Sequence, residues 1–237
     1  EHQETIETAG RSAAAGGITT IIALPNTDPV IDDVAGVEFI ARRARKVGLA
    51  KVFAYGAVSK GIEGGEITEM GLLHQAGAVA FCDGVKTIAS ARLLRQALSY
   101  STFFDGMIVQ HPEEPELSRG ASMNSGELAT RLGLSGVSPL AEVMQIERDL
   151  RLVEMTGGRL HFAHISTGES VEVIRKAKKR GLKVTCDTAP FYFALNENAV
   201  SDYRIFAKLS PSLRSEDDRQ AIVAGLADGT IDAIASD

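Results

Sequence analysis

The 237-residue sequence carries 31 acidic and 25 basic side chains, a net charge of −6, with 44% hydrophobic and 24% charged residues. That is ordinary globular composition, on the scale of one α/β barrel of about 250 residues. The acidic balance excludes a nucleic-acid surface, which needs clustered Lys and Arg, and no apolar run approaches the roughly 20 residues that cross a bilayer.

The opening EHQETIETAGRS is polar and acidic, unlike a signal peptide, and enters at once a helix-like stretch. Strand-like runs then alternate with helical ones. TTIIAL (19–24) leads to Asn26, and VAGVEFIARRARKVG (34–48) has helical spacing. KVFAYGAV (51–58) and AVAFCD (78–83) follow, the second ending on Asp83, and SARLLRQALSY (90–100) is again helical. GMIVQH (106–111) ends on His111, and AEVMQIERDLRLVEMTG (141–157) is the next helix. RLHFAHI (159–165) carries His161 and His164, ESVEVIRKAKKRG (169–181) is helical, LKVTCDT (182–188) carries Asp187, and IDAIASD (231–237) ends on Asp237.

Continuous apolar runs suit strands covered on both faces, as in parallel sheets. Gly48, Gly157 and Gly181 follow helical runs, where glycine takes the left-handed terminal conformation without steric cost. Seven strands alternating with helices predict a parallel α/β fold. A closed barrel and an open doubly wound sheet both fit, and the lack of a GxGxxG after an early strand favours the barrel. Without a linker, residues 1–237 read as one domain: a (β/α)8 TIM barrel incomplete at both ends, its first strand and the segment after its last lying outside the sequence. Two basic runs, Arg42–Lys46 and Arg175–Arg180, read as solvated helix faces near C-termini. Cys82 and Cys186 are too few for a disulfide framework, so a reducing cytoplasm is expected.

Barrel enzymes build their sites at the C-terminal ends of strands, and those ends carry Asn26, Asp83, His111, His164, Asp187 and Asp237. Imidazoles and carboxylates converging from separate strands make a zinc site with a position open for water. Each has a plainer reading: a strand-end His as a hydrogen-bonded structural residue, and Asp83 or Asp187 as the N-cap of the next helix. His161 lies three residues before His164, so strand alternation sends it to the opposite face, a structural position. His2 and His74 read as surface residues.

Several segments resemble one family. AAAGGITTIIALPNTDPVID (13–32) is similar to the AGGxTT…PNTxP stretch of dihydroorotases and their allantoinase and hydantoinase relatives. AGAVAFCDG (76–84), MNSGELATRLGLSG (123–136), HFAHIST (161–167) and LSPSLRSEDDR (209–219) extend the match in order, and GTIDAIASD resembles the last barrel strand. The resemblance implies a zinc-dependent hydrolase of a cyclic amide bond, with one or two ions. It implies Asp83, His111, His164 and Asp237 as metal ligands, Asp237 also shuttling the proton, and Asn26 contacting the substrate's carboxylate. Ser210 stands where relatives usually carry a substrate-contacting Asn, TAPFYFALNE (188–197) replaces a polar, often His-bearing stretch with Phe191 and Tyr192, and HPEEPEL (111–117) replaces a His-Cys-Glu. The His-x-His of the family's first strand would precede Glu1.

Three functions follow from the resemblance. The first is a dihydroorotase interconverting dihydroorotate and N-carbamoyl-aspartate in pyrimidine synthesis, a cytoplasmic homo-oligomer. The second is a non-catalytic dihydroorotase-like subunit that scaffolds aspartate transcarbamoylase. The third is an allantoinase or hydantoinase. Residues 1–237 by themselves are expected to be inactive.

Overall fold

Thr5 starts the first helix, α1 (Ile6–Ala15), by accepting the Thr8 amide while the Thr8 hydroxyl accepts the Thr5 amide, a reciprocal cap. The computed structural model describes residues 4–236, which form two compact units dividing between Val109 and Gln110.

In the first unit β1 (Thr20–Ala23), α2 (Val34–Val47), β2 (Lys51–Ala57), α3 (Met70–Gln75), β3 (Ala78–Cys82) and α4 (Ala91–Ser101) follow one another, and β4 (Met107–Gln110) runs into the boundary. The strands lie parallel in chain order, with Ile22 opposite Phe53, Gly56 opposite Phe81, and Phe81 opposite Ile108. Parallel neighbours need a crossover between them, which the helices supply. Asp33 caps α2 and Ser90 caps α4, each accepting the amide three residues on. Helix α2 buries Val37, Ile40 and Ala44 at helical spacing. A Cβ on Gly56 would come within 3.0 Å of both Leu73 and Phe81, so the strand needs glycine there to let both side chains close over it.

The second unit holds α5 (Pro115–Ser118), β5 (Met123–Asn124), α6 (Glu127–Leu132), β6 (Gly136–Val137), α7 (Leu140–Thr156), β7 (Arg159–Phe162), α8 (Gly168–Lys179), β8 (Val184–Thr188), α9 (Pro190–Ala194), α10 (Glu216–Ala227) and β9 (Ala233–Ile234). Strands β7, β8 and β9 are parallel, with Phe162 opposite Cys186 and Thr188 opposite Ile234. The Gln110 carbonyl accepts the Ala163 amide at 2.9 Å. Strands β5 and β6 form a separate parallel pair, too short to show as a period in the sequence. Each of the seven expected strand runs holds a strand, and Gly48 and Gly157 close α2 and α7 in the left-handed conformation. No helix among the described residues is long and apolar enough to cross a membrane.

The run 175–180 does more than face solvent. Arg175 donates to Thr230 and pairs with Asp228, and Lys178 donates to the Thr230 carbonyl, fastening α8 to the approach of β9.

Helix α7 is buried on two stripes. Val143, Ile146, Leu150 and Val153 are apolar, each contributing about 1.5–3 kcal/mol. Beside them Glu142, Gln145 and Asp149 are buried too. Burial pushes the Asp149 carboxyl up to about 6, against Arg148 and a 2.8 Å hydrogen bond from Gln110 Nε2. A folded-state value above the unfolded one of about 3.9 stabilises the fold at low pH, and that contribution disappears as pH rises towards 6. The expected loss is about 2–3 kcal/mol. Urea midpoints of the wild type and Asp149→Asn at pH 4.5 and 7 test this: the wild type should fall relative to the variant on raising the pH, and parallel pH profiles would refute it.

Candidate functional site

In the first unit Asp83 directly follows β3 and is almost wholly buried. Its Oδ1 accepts the amides of Val58 at 3.0 Å and Ser59 at 2.9 Å, and its Oδ2 accepts the Ser59 hydroxyl at 2.6 Å. Burial raises its pKa, and the hydrogen bonds from Ser59 and Val58 offset this only in part. Asp83 is therefore not a helix cap; Ser90 fills that role for α4. Gly84 follows at φ 66, and a Cβ on it would meet the Asn26 side chain at 2.9 Å. The close approach needs glycine for both its conformation and its bareness, and it sets the exposed Asn26 beside the Asp83–Gly84 turn.

In the second unit His111 follows β4, with Nε2 3.4 Å from Ser210 Oγ and 3.9 Å from Glu113 Oε2. The Ser210 hydroxyl donates to Glu113 Oε2 at 2.9 Å. Burial would raise the Glu113 carboxyl, but hydrogen bonds from His111 and Ser210 outweigh it and hold the group below its ordinary value. The structure thus brings His111 and Ser210 together, around a glutamate that the sequence did not single out.

His164 lies beyond the end of β7, in the left-handed region at φ 55. Asp187, near the end of β8, accepts the His164 amide on Oδ1 at 2.7 Å and stands 3.2 Å from the same ring's Nδ1. Its Oδ2 lies 2.8 Å from His161 Nε2, and His161 Nδ1 lies 2.7 Å from Thr185 Oγ1. Burial opposes the charged form of Asp187, yet the bonds from His161 and His164 prevail and keep it well below the usual carboxylate range. The opposite-face expectation for His161 fails because alternation ends with β7 at Phe162, and the turn at His164 brings both rings to one carboxylate. Nor does Asp187 cap a helix, since α9 starts after Ala189.

A buried network underlies the His164 segment. Glu142 accepts the amides of Ser166 and Thr167, both at 3.1 Å, as well as both their hydroxyls. Thr167 is the N-cap of α8, so the glutamate's charge sits at the positive end of that helix. Arg214 donates to Ser166 Oγ at 3.0 Å and to Asn124 Oδ1 at 3.1 Å, with Nη2 3.8 Å from Glu142.

Tyr192 packs with Met123, Leu128 and Leu213, and its hydroxyl donates to the Pro211 carbonyl at 2.7 Å. The Phe191–Tyr192 departure is thus a core feature. His74 is exposed and stacks on Phe104; His2 and Asp237 lie outside the described residues. Within neither unit do three described His, Cys, Asp or Glu side chains form a group able to hold a metal ion. The donors at the strand ends, imidazoles and carboxylates, are nonetheless the types zinc takes, and a carboxylate beside His164 suits a ligating imidazole.

A family model described as dihydro-orotase-like matches residues 1–170. The dihydroorotases of Acetivibrio thermocellus and Endomicrobium trichonymphae are each 47% identical over 237 residues, covering 100% of this chain and 56% of those proteins. The chain spans about half the length of the curated relatives it matches. The L-hydantoinase (dihydropyrimidinase) of Arthrobacter aurescens aligns with a TM-score of 0.80 at 24% identity, over 98% of this chain and 53% of that one. A D-hydantoinase from Bacillus sp. AR9 gives 0.78 at 18%, over 99% and 54%. These likenesses bear out the fold class, an α/β barrel present in part. With the family model covering well over half of the sequence, the chain belongs to the dihydroorotase-like family.

Proposed function

We propose that this chain is part of a zinc-dependent dihydroorotase, which interconverts dihydroorotate and N-carbamoyl-aspartate in pyrimidine biosynthesis. The observation that carries the reading is identity of 47% to proteins named dihydroorotase along all 237 residues. Asp83, His111, His164 and Asp237 would hold one or two zinc ions. When bound, zinc supplies Lewis acidity, polarising a ring carbonyl and bringing the pKa of a water towards about 7.

The chain's own residues do the rest. Asn26, fixed beside Gly84, donates to the substrate carboxylate. Ser210 contacts the substrate through a hydroxyl that Glu113 orients. Asp237 accepts a proton from the attacking water and delivers it to the leaving ring nitrogen. Cys82 and Cys186 are buried free thiols, which suits a reducing cytoplasm, and the protein acts as a homo-oligomer.

The test is zinc content of the full-length protein by elemental analysis, alongside dihydroorotate turnover before and after chelation. One or two zinc ions per chain are expected, with turnover lost on chelation and restored by zinc. Protein without zinc or turnover that binds aspartate transcarbamoylase would be the scaffold. Hydrolysis of allantoin or a hydantoin in place of dihydroorotate would leave the chemistry and change the substrate.

A further inference from the structure

Two imidazoles and a carboxylate meet at the ends of β7 and β8, and donor chemistry places the protons there. An ionised carboxylate only accepts hydrogen bonds. His161 Nε2, 2.8 Å from Asp187 Oδ2, must therefore carry a hydrogen. In the neutral ring Nδ1 is then an acceptor, and the Thr185 hydroxyl 2.7 Å away supplies the hydrogen it needs. On the other side of the carboxylate, Oδ1 takes the His164 amide at 2.7 Å and faces the His164 Nδ1 at 3.2 Å. The contact is an electrostatic pairing rather than an aligned hydrogen bond, and at 3.2 Å a lone pair on that nitrogen is repelled by the anionic oxygen. A hydrogen there is attracted, which leaves the lone pair on Nε2, across the ring from the carboxylate.

The backbone points the same way. His164 holds φ 55, a region that costs a residue with a side chain about 1–3 kcal/mol. The Asp187 bond to its amide holds the chain in that turn, and the turn carries the ring out of the strand alternation. Cys186 and Thr188, the chain neighbours of Asp187, have no exposed surface, so the carboxylate sits on a fixed base.

We infer that Asp187 is a positioning residue which, braced by His161 and Thr185, fixes the backbone and ring of His164, keeps the ring proton on Nδ1, and so presents Nε2 to a metal ion. Only the last clause rests on the zinc reading above; the rest concerns this chain alone. A neighbouring carboxylate of this kind fixes a ligating histidine's tautomer, and its loss typically weakens metal binding about 10–100-fold.

The test uses full-length, metal-free protein with 15N-labelled histidine. Long-range proton–nitrogen correlation spectra report each ring's tautomer, and His164 is assigned from the signal missing in His164→Gln. The wild type should show hydrogen on Nδ1 of His164. Asp187→Ala should lose that preference and bind zinc, measured by competition with a chelator, about 10–100-fold more weakly. Asp187→Asn retains one carbonyl acceptor and should fall between the two. Hydrogen on Nε2 in the wild type would overturn the inference, as would a folded Asp187→Ala protein with wild-type zinc affinity. The wild-type spectrum decides even if Asp187→Ala does not fold. A wild type with the Nδ1 tautomer and no zinc affinity would sink the zinc reading while leaving Asp187's hold on the ring intact.

Discussion

Replacing Arg214 by alanine is expected to lower stability by about 3–5 kcal/mol, the usual loss when one partner of a buried ion pair is removed. The side chain is 1% exposed and that of Glu142, its partner, 0%. Removing the guanidinium takes hydrogen-bond donors from Ser166 Oγ and Asn124 Oδ1 and leaves the Glu142 charge buried without its cation. Arg214→Lys should lose less, since it keeps the charge and gives up only the planar fork. Pairing Arg214→Met with Glu142→Gln should recover part of the loss, because no unpaired charge then remains inside. Urea unfolding followed by circular dichroism measures each; a wild-type midpoint for Arg214→Ala would show that the network contributes nothing. Ser166 and Thr167 follow His164 closely, so loosening here is expected to reach that ring as well.

The second large effect separates two roles of Asp83. Its carboxylate ties the ends of β2 and β3 together through three hydrogen bonds, and under the zinc reading it also ligates metal. Asp83→Asn keeps a carbonyl oxygen for the two amides, and its new NH2 group can donate to Ser59 Oγ. The variant should fold with near-wild-type stability, yet lose zinc affinity by about 100-fold or more, beyond the range for an outer partner. Asp83→Ala should lose the metal too, and in addition about 2–4 kcal/mol for the buried Ser59 amide and hydroxyl left without their acceptor, the Val58 amide keeping the Cys82 carbonyl at 3.2 Å. Zinc content and urea midpoint, taken on both variants, separate the outcomes. If Asp83→Asn keeps its zinc and its turnover, Asp83 is a strut and leaves the ligand set.

The strand runs were legible because continuous apolar segments bounded by glycine and polar residues have few other solutions. The same signal fails for β5 and β6, at two residues each. Of the candidate residues, Asp83, His111 and His164 stood out as polar groups ending apolar runs. Glu113, in the charged run HPEEPEL, gave no such signal, because nothing local says that a glutamate among glutamates is the buried one. Glu142 and Asp149 lie in a helix with several other charged residues and carry no local mark that sets them apart, yet both are fully buried. Arg148 and Gln145 on the same helix also donate to Asp149, but Ser166, Thr167 and Gln110 lie 24 to 39 residues from the carboxylates they meet, beyond the reach of any periodic pattern.

By itself the sequence determined the alternation of strand and helix, the polar residues at the strand ends, and through its motifs the family. Those are properties of short windows, set by side-chain period and by residue type. Only the tertiary structure decided which polar groups work together: His161 with His164 on Asp187, Ser210 with His111 on Glu113, and Arg214 with Glu142 under the His164 segment. Each pairing depends on where a strand ends, where a residue such as His164 turns left-handed, and which carboxylates are denied water. Those outcomes belong to packing between distant segments, where burying a charge is tolerable only if a partner from elsewhere in the chain is there to meet it.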